Sequence, residues 1–399
     1  MLKNIILIII IIIIIFLTYN NNNISKNNNI SKNNNIKYNN INSKYIKDYN
    51  CNNLLKIPII NTYYTTRYFY YINSTYLNYF NKKHEKYIIK YNNYDFNLEF
   101  YPNIKMIKKN KYPIIIIGKT VSSCSKFAIY QSYLMMYLYK NFKINTVRID
   151  FRGYTSNIKN YLSCYQSNID DVNYIIKYIY NKYNKNLYLL GFSLSGNLFI
   201  NFYSNMLYRE GDSLFVENPE YIKNIKGVVL LSTPLSMNNV IKTTNKTINN
   251  YSEKILINHI QNYFKKNEEY IYDNPKLNNN NIKKLKNLKN LNGFFNNYIK
   301  KINNNKYKNI KDWSNDYNIL YKIKNIKIPI LIIHSDDDNI CKIYKKDLNI
   351  LKKFNNIKII ITKFGGHCGF FCSEKKLWYK NIIGDFINNI ENKTIIDEC

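Results

Sequence analysis

The chain has 399 residues, 46% of them hydrophobic, and a formal net charge of +32. That length and apolar content support one large α/β domain or two small ones around a sizeable core. The seven cysteines (Cys51, Cys124, Cys164, Cys341, Cys368, Cys372 and Cys399) are odd in number and widely spaced, which excludes a disulfide scaffold and a paired C-x-x-C zinc site. The lysines are scattered through a composition rich in Asn, Ile and Tyr, and no basic helix is interleaved with aromatics. The charge therefore excludes a specific nucleic-acid reader and leaves attraction to anionic lipid surfaces as a by-product.

The N-terminus reads MLKNIILIIIIIIIIFLTYN, with an unbroken apolar run over residues 5–17 between Lys3 and an asparagine tract. This is short of the roughly 20 residues of a spanning helix and suits a signal h-region or an uncleaved anchor. No small-x-small cleavage site follows. Residues 1–19 are therefore expected to be a single-pass anchor in the secretory or endomembrane system, with secretion after cleavage as the alternative. Residues 20–60, dominated by Asn, Lys and Ser, hold too little apolar surface to offset the entropy of ordering and are expected to form a disordered tether.

Periodic sequence begins beyond residue 60. EKYIIKYNNYDFNLEFY (85–101) predicts two alternating strands joined by an NNYD turn. Short apolar runs follow at 112–117, 144–150, 187–191, 226–232, 328–335 and 357–363, and each predicts a strand buried on both faces. Between them KFAIYQSYLMMYLYKNF, IDDVNYIIKYIYNKY and GNLFINFYSNML carry apolar residues at helical spacing. Alternation of strand and helix predicts a mostly parallel sheet with helices on both faces, split into core segments 61–234 and 326–399. Residues 235–325, which include NNNNIKKLKNLKNLNG and no clear strand, predict a helical insertion and a candidate lid.

The chemistry centres on LYLLGFSLSGNLFINFY (187–203), where Ser193 stands between a strand and a helix. The pattern G-x-S-x-G holds a serine on a strained strand-to-helix elbow, and small residues let the helix cross close over the strand. Here Gly191, Ser195 and Gly196 supply the small residues, with serine in place of the last glycine of the pattern. A serine needs a base, and the sequence contains four histidines. His84 precedes the sheet, His259 lies in the insertion, and His334 sits at the end of a buried strand where it reads as core. His367, in KFGGHCGFF directly after the last strand, is the candidate base. Cys368 and Cys372 beside it read as small packing residues.

The base needs an orienting carboxylate, and IIHSDDDNICK places Asp336, Asp337 and Asp338 after the preceding strand. Asp338 is favoured and Asp337 comes second. Three consecutive acids do not give the alternating ligands of a calcium loop. The oxyanion hole would combine the backbone N–H of Leu194 with that of Lys119, which follows an earlier strand in IIIIGKTVSSCSK. No metal or organic cofactor is required.

GFSLSGN, SDDDNI and GGHCGFF, with RIDFRGYTSN (148–157), LSTPLSM (231–237) and DWSNDYNILYKIKNIKIPILII (312–333), resemble the YheT-like, type 4 branch of the alpha/beta-hydrolase superfamily over roughly residues 85–390. The resemblance implies the α/β-hydrolase fold, with Ser193 as nucleophile, Asp338 as acid and His367 as base. The branch usually carries His-Gly at the start of the oxyanion loop and another glycine shortly after; Ile117-Gly118 and Val121 stand there in this chain. Because the branch includes membrane-anchored lipid hydrolases, the expected function is hydrolysis of carboxylic esters of lipids such as monoacylglycerol or phospholipid. Acyl transfer by the same triad and a membrane-tethered, non-catalytic relative are the alternatives.

Overall fold

Strands rich in β-branched residues that are apolar on both faces need cover on both sides, and this requirement organises the molecule. The computed structural model describes residues 84–91, 94–119, 129–151, 169–207, 219–245, 251–272, 274–370 and 377–397. The expected anchor and tether lie outside the described residues, as does Cys372. The strands are β1 (Glu85–Tyr91), β2 (Tyr94–Tyr101), β3 (Ile114–Gly118), β4 (Asn145–Ile149), β5 (Leu187–Phe192), β6 (Ile225–Leu231), β7 (Ile330–Ser335) and β8 (Ile357–Thr362). They form an 8-stranded sheet in the order β1-β2-β4-β3-β5-β6-β7-β8. β1 pairs antiparallel with β2 and β2 antiparallel with β4, and every later pairing is parallel.

The period-2 alternation of each strand sorts its side chains into two apolar layers. Ile115 and Ile117 of β3 and Tyr188, Leu190 and Phe192 of β5 pack on one face with helix α1 (Ile129–Phe142) and the last helix. Ile114, Ile116, Leu187 and Leu189 face the other way, against α2 (Ile169–Tyr183) and α3 (Leu194–Leu207). The last helix, α4 (Tyr379–Asp397), contributes Ile382, Ile383, Phe386 and Ile387 to the first layer.

Between β6 and β7 the chain builds a set of helices, among them Met237–Thr244, Tyr251–Lys266, Asn279–Lys286 and Ile310–Asp316. The low-complexity run supplies real structure here. Asn278 caps Asn279–Lys286 by accepting from the Asn281 N–H while Asn281 reaches back, a reciprocal box. Asn290, Asn309 and Asn318 cap the helices that follow by accepting first-turn N–H groups, without the reciprocal bond. Asparagine is a strong N-cap because its side-chain oxygen satisfies an orphan N–H of the first turn. Ile282, Leu285 and Leu288 are buried, and Phe264 stands edge-on to Tyr298 with ring centroids 4.8 Å apart. These residues join the same apolar layer as α2 and α3.

Candidate active site

Functional groups of an open parallel sheet gather beyond the carboxyl ends of its strands, and β5, β7 and β8 each end in a short loop that supplies one group. Ser193 sits between β5 and α3 with φ +53, a left-handed conformation that a non-glycine residue adopts only when its surroundings enforce it. Its N–H continues the ladder by donating to Leu231 O at 2.9 Å, and α3 begins at the next residue. A Cβ on Gly191 would lie 2.1 Å from Gly196 Cα, so these two glycines set the close crossing of strand and helix. Ser195 faces elsewhere. Its hydroxyl proton is shared between Phe192 O at 2.8 Å and Gly118 O at 3.0 Å, and the space it occupies is the space a Cβ on Gly118 would need, 2.5 Å from Ser195 Cβ. The absent side chain at Gly118 thus accommodates the serine that replaces the pattern's last glycine.

His367 lies in the turn after β8, and its Nε2 is 2.9 Å from Ser193 Oγ. Its Nδ1 is 3.0 Å from Asp338 Oδ2 and 3.2 Å from Asp338 Oδ1. With the Nδ1–H donating to the carboxylate, Nε2 carries the lone pair and accepts from the serine hydroxyl. The His367 side chain is 13% exposed while that of Asp338 is fully buried. Asp338 Oδ1 also accepts the backbone N–H groups of Ile340 at 2.9 Å and Cys341 at 2.8 Å. Burial pushes the Asp338 carboxyl up, but the adjacent, hydrogen-bonded His367 imidazole, then His334 and the Cys341 N–H, outweigh it and hold it below the ordinary carboxylate value. Asp338 is therefore the anionic partner of the imidazole.

The other acids of the DDD run are placed differently. Asp336 is exposed. Asp337 Oδ1 accepts the Gly366 N–H at 2.8 Å, and Ser335 Oγ donates to Gly366 O at 2.9 Å. One residue before the base, both polar groups of the backbone are thus tied to the acid loop. Burial outweighs the hydrogen bonds at Asp337 and pushes its carboxyl up. The run divides into a solvated residue, a loop anchor and a histidine partner, a division that three identical letters do not announce. Cys368 is buried and its N–H donates to Ser232 Oγ at 3.0 Å. Burial and then Asp338 push the thiols of Cys341 and Cys368 up, so both stay protonated.

The two expected oxyanion donors part company. Leu194 opens α3, where first-turn N–H groups have no intrahelical partner. Lys119 directly follows β3. Its N–H points along the ladder to Ile149 O at 3.4 Å, because β3 and β4 stay paired to their ends. Residues 120–128, which include Val121, lie outside the described residues. The Lys119 side chain is instead part of a buried charge cluster that the sequence reading missed. It pairs with Asp150 and, at 3.4 Å, with Glu99, which also binds Arg148. Arg148 Nη1 donates to Ser132 Oγ at 3.1 Å. Alternation offered a faint signal, since Glu99 and Arg148 stand opposite one another on β2 and β4. Of the remaining histidines, His84 lies at the entry to β1 and His259 in the insertion helix Tyr251–Lys266, while His334 adjoins Asp338.

An eight-stranded sheet with antiparallel β2 in this order, a positive-φ serine elbow after β5, an acid after β7 and a histidine after β8 together define the α/β-hydrolase fold. No protein-family model matches the sequence, and no curated protein matches it. Solved structures similar to the chain include an esterase of Pyrococcus furiosus, at 14% identity and TM-score 0.45 over 77% of this chain and 92% of that one. A serine hydrolase of Cycloclasticus zankles matches at 11% identity and TM-score 0.46 over 77% and 99% of the respective chains. An esterase of Pyrobaculum calidifontis matches at 11% identity and TM-score 0.45 over 82% and 92%.

Proposed function

We propose that the chain is a serine hydrolase of carboxylic esters, acting through Ser193, His367 and Asp338. The observation that carries this reading is the continuous line of hydrogen bonds from Ser193 Oγ through His367 to Asp338, set on a strained elbow. Ser193 Oγ attacks the ester carbonyl carbon while its proton passes to His367 Nε2, and the imidazolium is held by anionic Asp338. The first-turn N–H of Leu194 faces the developing oxyanion. His367 then returns the proton to the leaving alkoxide, and water, deprotonated by the same nitrogen, releases the acyl group and restores Ser193. No step draws on the buried thiols.

Lipid esters such as monoacylglycerols or phospholipids are the substrate class we favour. The apolar run at residues 5–17 and the net charge of +32 support work at an anionic membrane surface, with the N-terminal segment as anchor. Among the described residues no helix is long and apolar enough to cross a membrane. The motifs shared with the YheT-like branch support the same substrate class. Reaction of the full chain with a fluorophosphonate probe tests the mechanism. Ser193→Ala and His367→Ala are each expected to abolish labelling, and a folded wild-type protein that takes no label would exclude the hydrolase reading. Release of fatty acid from monoacylglycerol or phospholipid vesicles, against short-chain esters as the comparison, tests the substrate class.

A further inference from the structure

His334 reads in the sequence as a core residue at the end of a buried strand, and the triad does not use it. It is fully buried on β7, yet both of its ring nitrogens lie near polar groups. Nε2 lies 3.3 Å from Thr233 O, a carbonyl that can only accept, so Nε2 carries the proton. Nδ1 is then a bare lone pair. It has no hydrogen-bond partner among the described residues and stands 3.9 Å from Asp338 Oδ2.

Each neighbour of this ring matters to the site. Asp338 Oδ1 is occupied by two backbone N–H groups, whereas Oδ2 accepts from His367 Nδ1 at 3.0 Å. The His334 ring stands beside Oδ2, its Nδ1 3.9 Å away and with no proton to offer on that side. Thr233 lies behind the elbow. Its Oγ1 donates to Gly191 O at 3.4 Å, and its side chain fills the space above Gly196, where an added Cβ would meet Oγ1 at 2.0 Å. His334 therefore joins the acid loop after β7 to the nucleophile's elbow after β5.

We propose that His334 is a positioning residue, a neutral brace whose Nε2–H holds Thr233 behind the elbow while its bare Nδ1 reserves Asp338 Oδ2 for His367. The proposal rests on the serine-hydrolase reading of the same site. The titratable groups that face His334 are Asp338 on its own loop and His367 on the loop after β8. Burial lowers the imidazole's affinity for a proton and His367 adds to that effect, and together they outweigh the opposing pull of Asp338 and of the Thr233 and Ser335 backbone. A protonated His334 would turn the same contact into competition for the acid.

Two variants of the full chain and two readouts test the brace. His334→Leu keeps the bulk but leaves Thr233 O without a donor, and we expect fluorophosphonate labelling of Ser193 to slow by about tenfold. His334→Gln can still donate to Thr233 O and should recover labelling to within about threefold of wild type. With only four histidines in the sequence, ¹⁵N-imidazole spectra identify His334 by the signals lost in either variant. Those signals should report a neutral ring protonated on Nε2 from about pH 8 to about pH 6. Wild-type labelling in the Leu variant, a Gln variant as slow as Leu, or uptake of a proton by His334 in that range would each overturn the proposal. If the wild type takes no label, the hydrolase reading falls and the spectra alone decide. His367 signals displaced in the Leu variant and restored in the Gln variant sustain the brace, and signals unmoved in both refute it.

Discussion

The loops that end β5, β7 and β8, written largely in Ser, Gly and Asp, and the insertion between β6 and β7, written largely in Asn, Lys and Ile, are stabilised by different means. At the catalytic loops the backbone is forced. Ser193 after β5 and Cys368 and Phe370 after β8 have positive φ, and the contacts that hold these loops come from distant parts of the chain, as with Ser335 to Gly366 and Cys368 to Ser232. In the insertion much of the restraint is local, although Asn304 and Asn305 also have positive φ and Asn239 donates to Asp347 at 2.6 Å. Asparagines cap helices one to three residues away, and lysines occupy the outer faces. One region spends its hydrogen bonds fixing an unfavourable conformation, and the other terminates favourable helices. Changes at the first should therefore be severe and register in chemistry, and changes at the second mild and confined to stability.

The largest expected effect separates two adjacent residues. Asp338→Asn should slow Ser193 labelling and ester hydrolysis by about 10³- to 10⁴-fold, because an amide in that place favours the wrong imidazole tautomer. Asp337→Asn, which can still accept the Gly366 N–H, should cost far less. Equal losses in the two variants would show that the line from serine to acid is not what matters.

Next comes the strand crossing. Gly191→Ala sets a methyl against the Gly196 backbone and should destabilise the fold by about 3 kcal/mol or more, seen as a shifted denaturant midpoint. A fully stable Gly191→Ala protein would mean that α3 does not cross β5 as closely as described.

Acid tests the buried charge cluster beside β3. Burial pushes the Glu99 carboxyl up, but the charges of Arg148 and Lys119 hold it down at about 2, against an ordinary 4.5. Because the folded value is the lower one, the stabilisation is complete above pH 4.5 and is lost as pH falls toward 2. Melting temperature should therefore drop through that window. The drop should be shallower in Glu99→Gln, whose melting temperature is already lower at neutral pH because it strands buried cations. Smallest of all, Asn278→Ala and Asn290→Ala should each cost about 1 kcal/mol and leave Ser193 labelling unchanged. A labelling defect in either would tie the insertion to the site and sharpen its reading as a lid.

Much of this was legible in one dimension because the signals are short-ranged. The isoleucine runs mark strands that must be buried on both faces. The elbow is a contiguous pattern, and the histidine and its acid each directly follow a strand. Within the acidic triplet, Asp338 is the one whose carboxylate meets His367 and takes the N–H groups of Ile340 and Cys341. The alternation of strand and helix, the register of inward and outward side chains, and the candidates for the site are all set along the chain. Periodicity and turn chemistry act between near neighbours along the chain and survive the skewed composition. Tertiary structure alone decided that Gly118 makes room for Ser195, that the Lys119 N–H stays with β4, that Glu99 and Arg148 are buried as a pair, and that His334 stands between the acid and the elbow. Each of these depends on which strand ends lie side by side, and that order, β4-β3-β5-β6-β7-β8, follows from sheet packing and not from proximity in the chain.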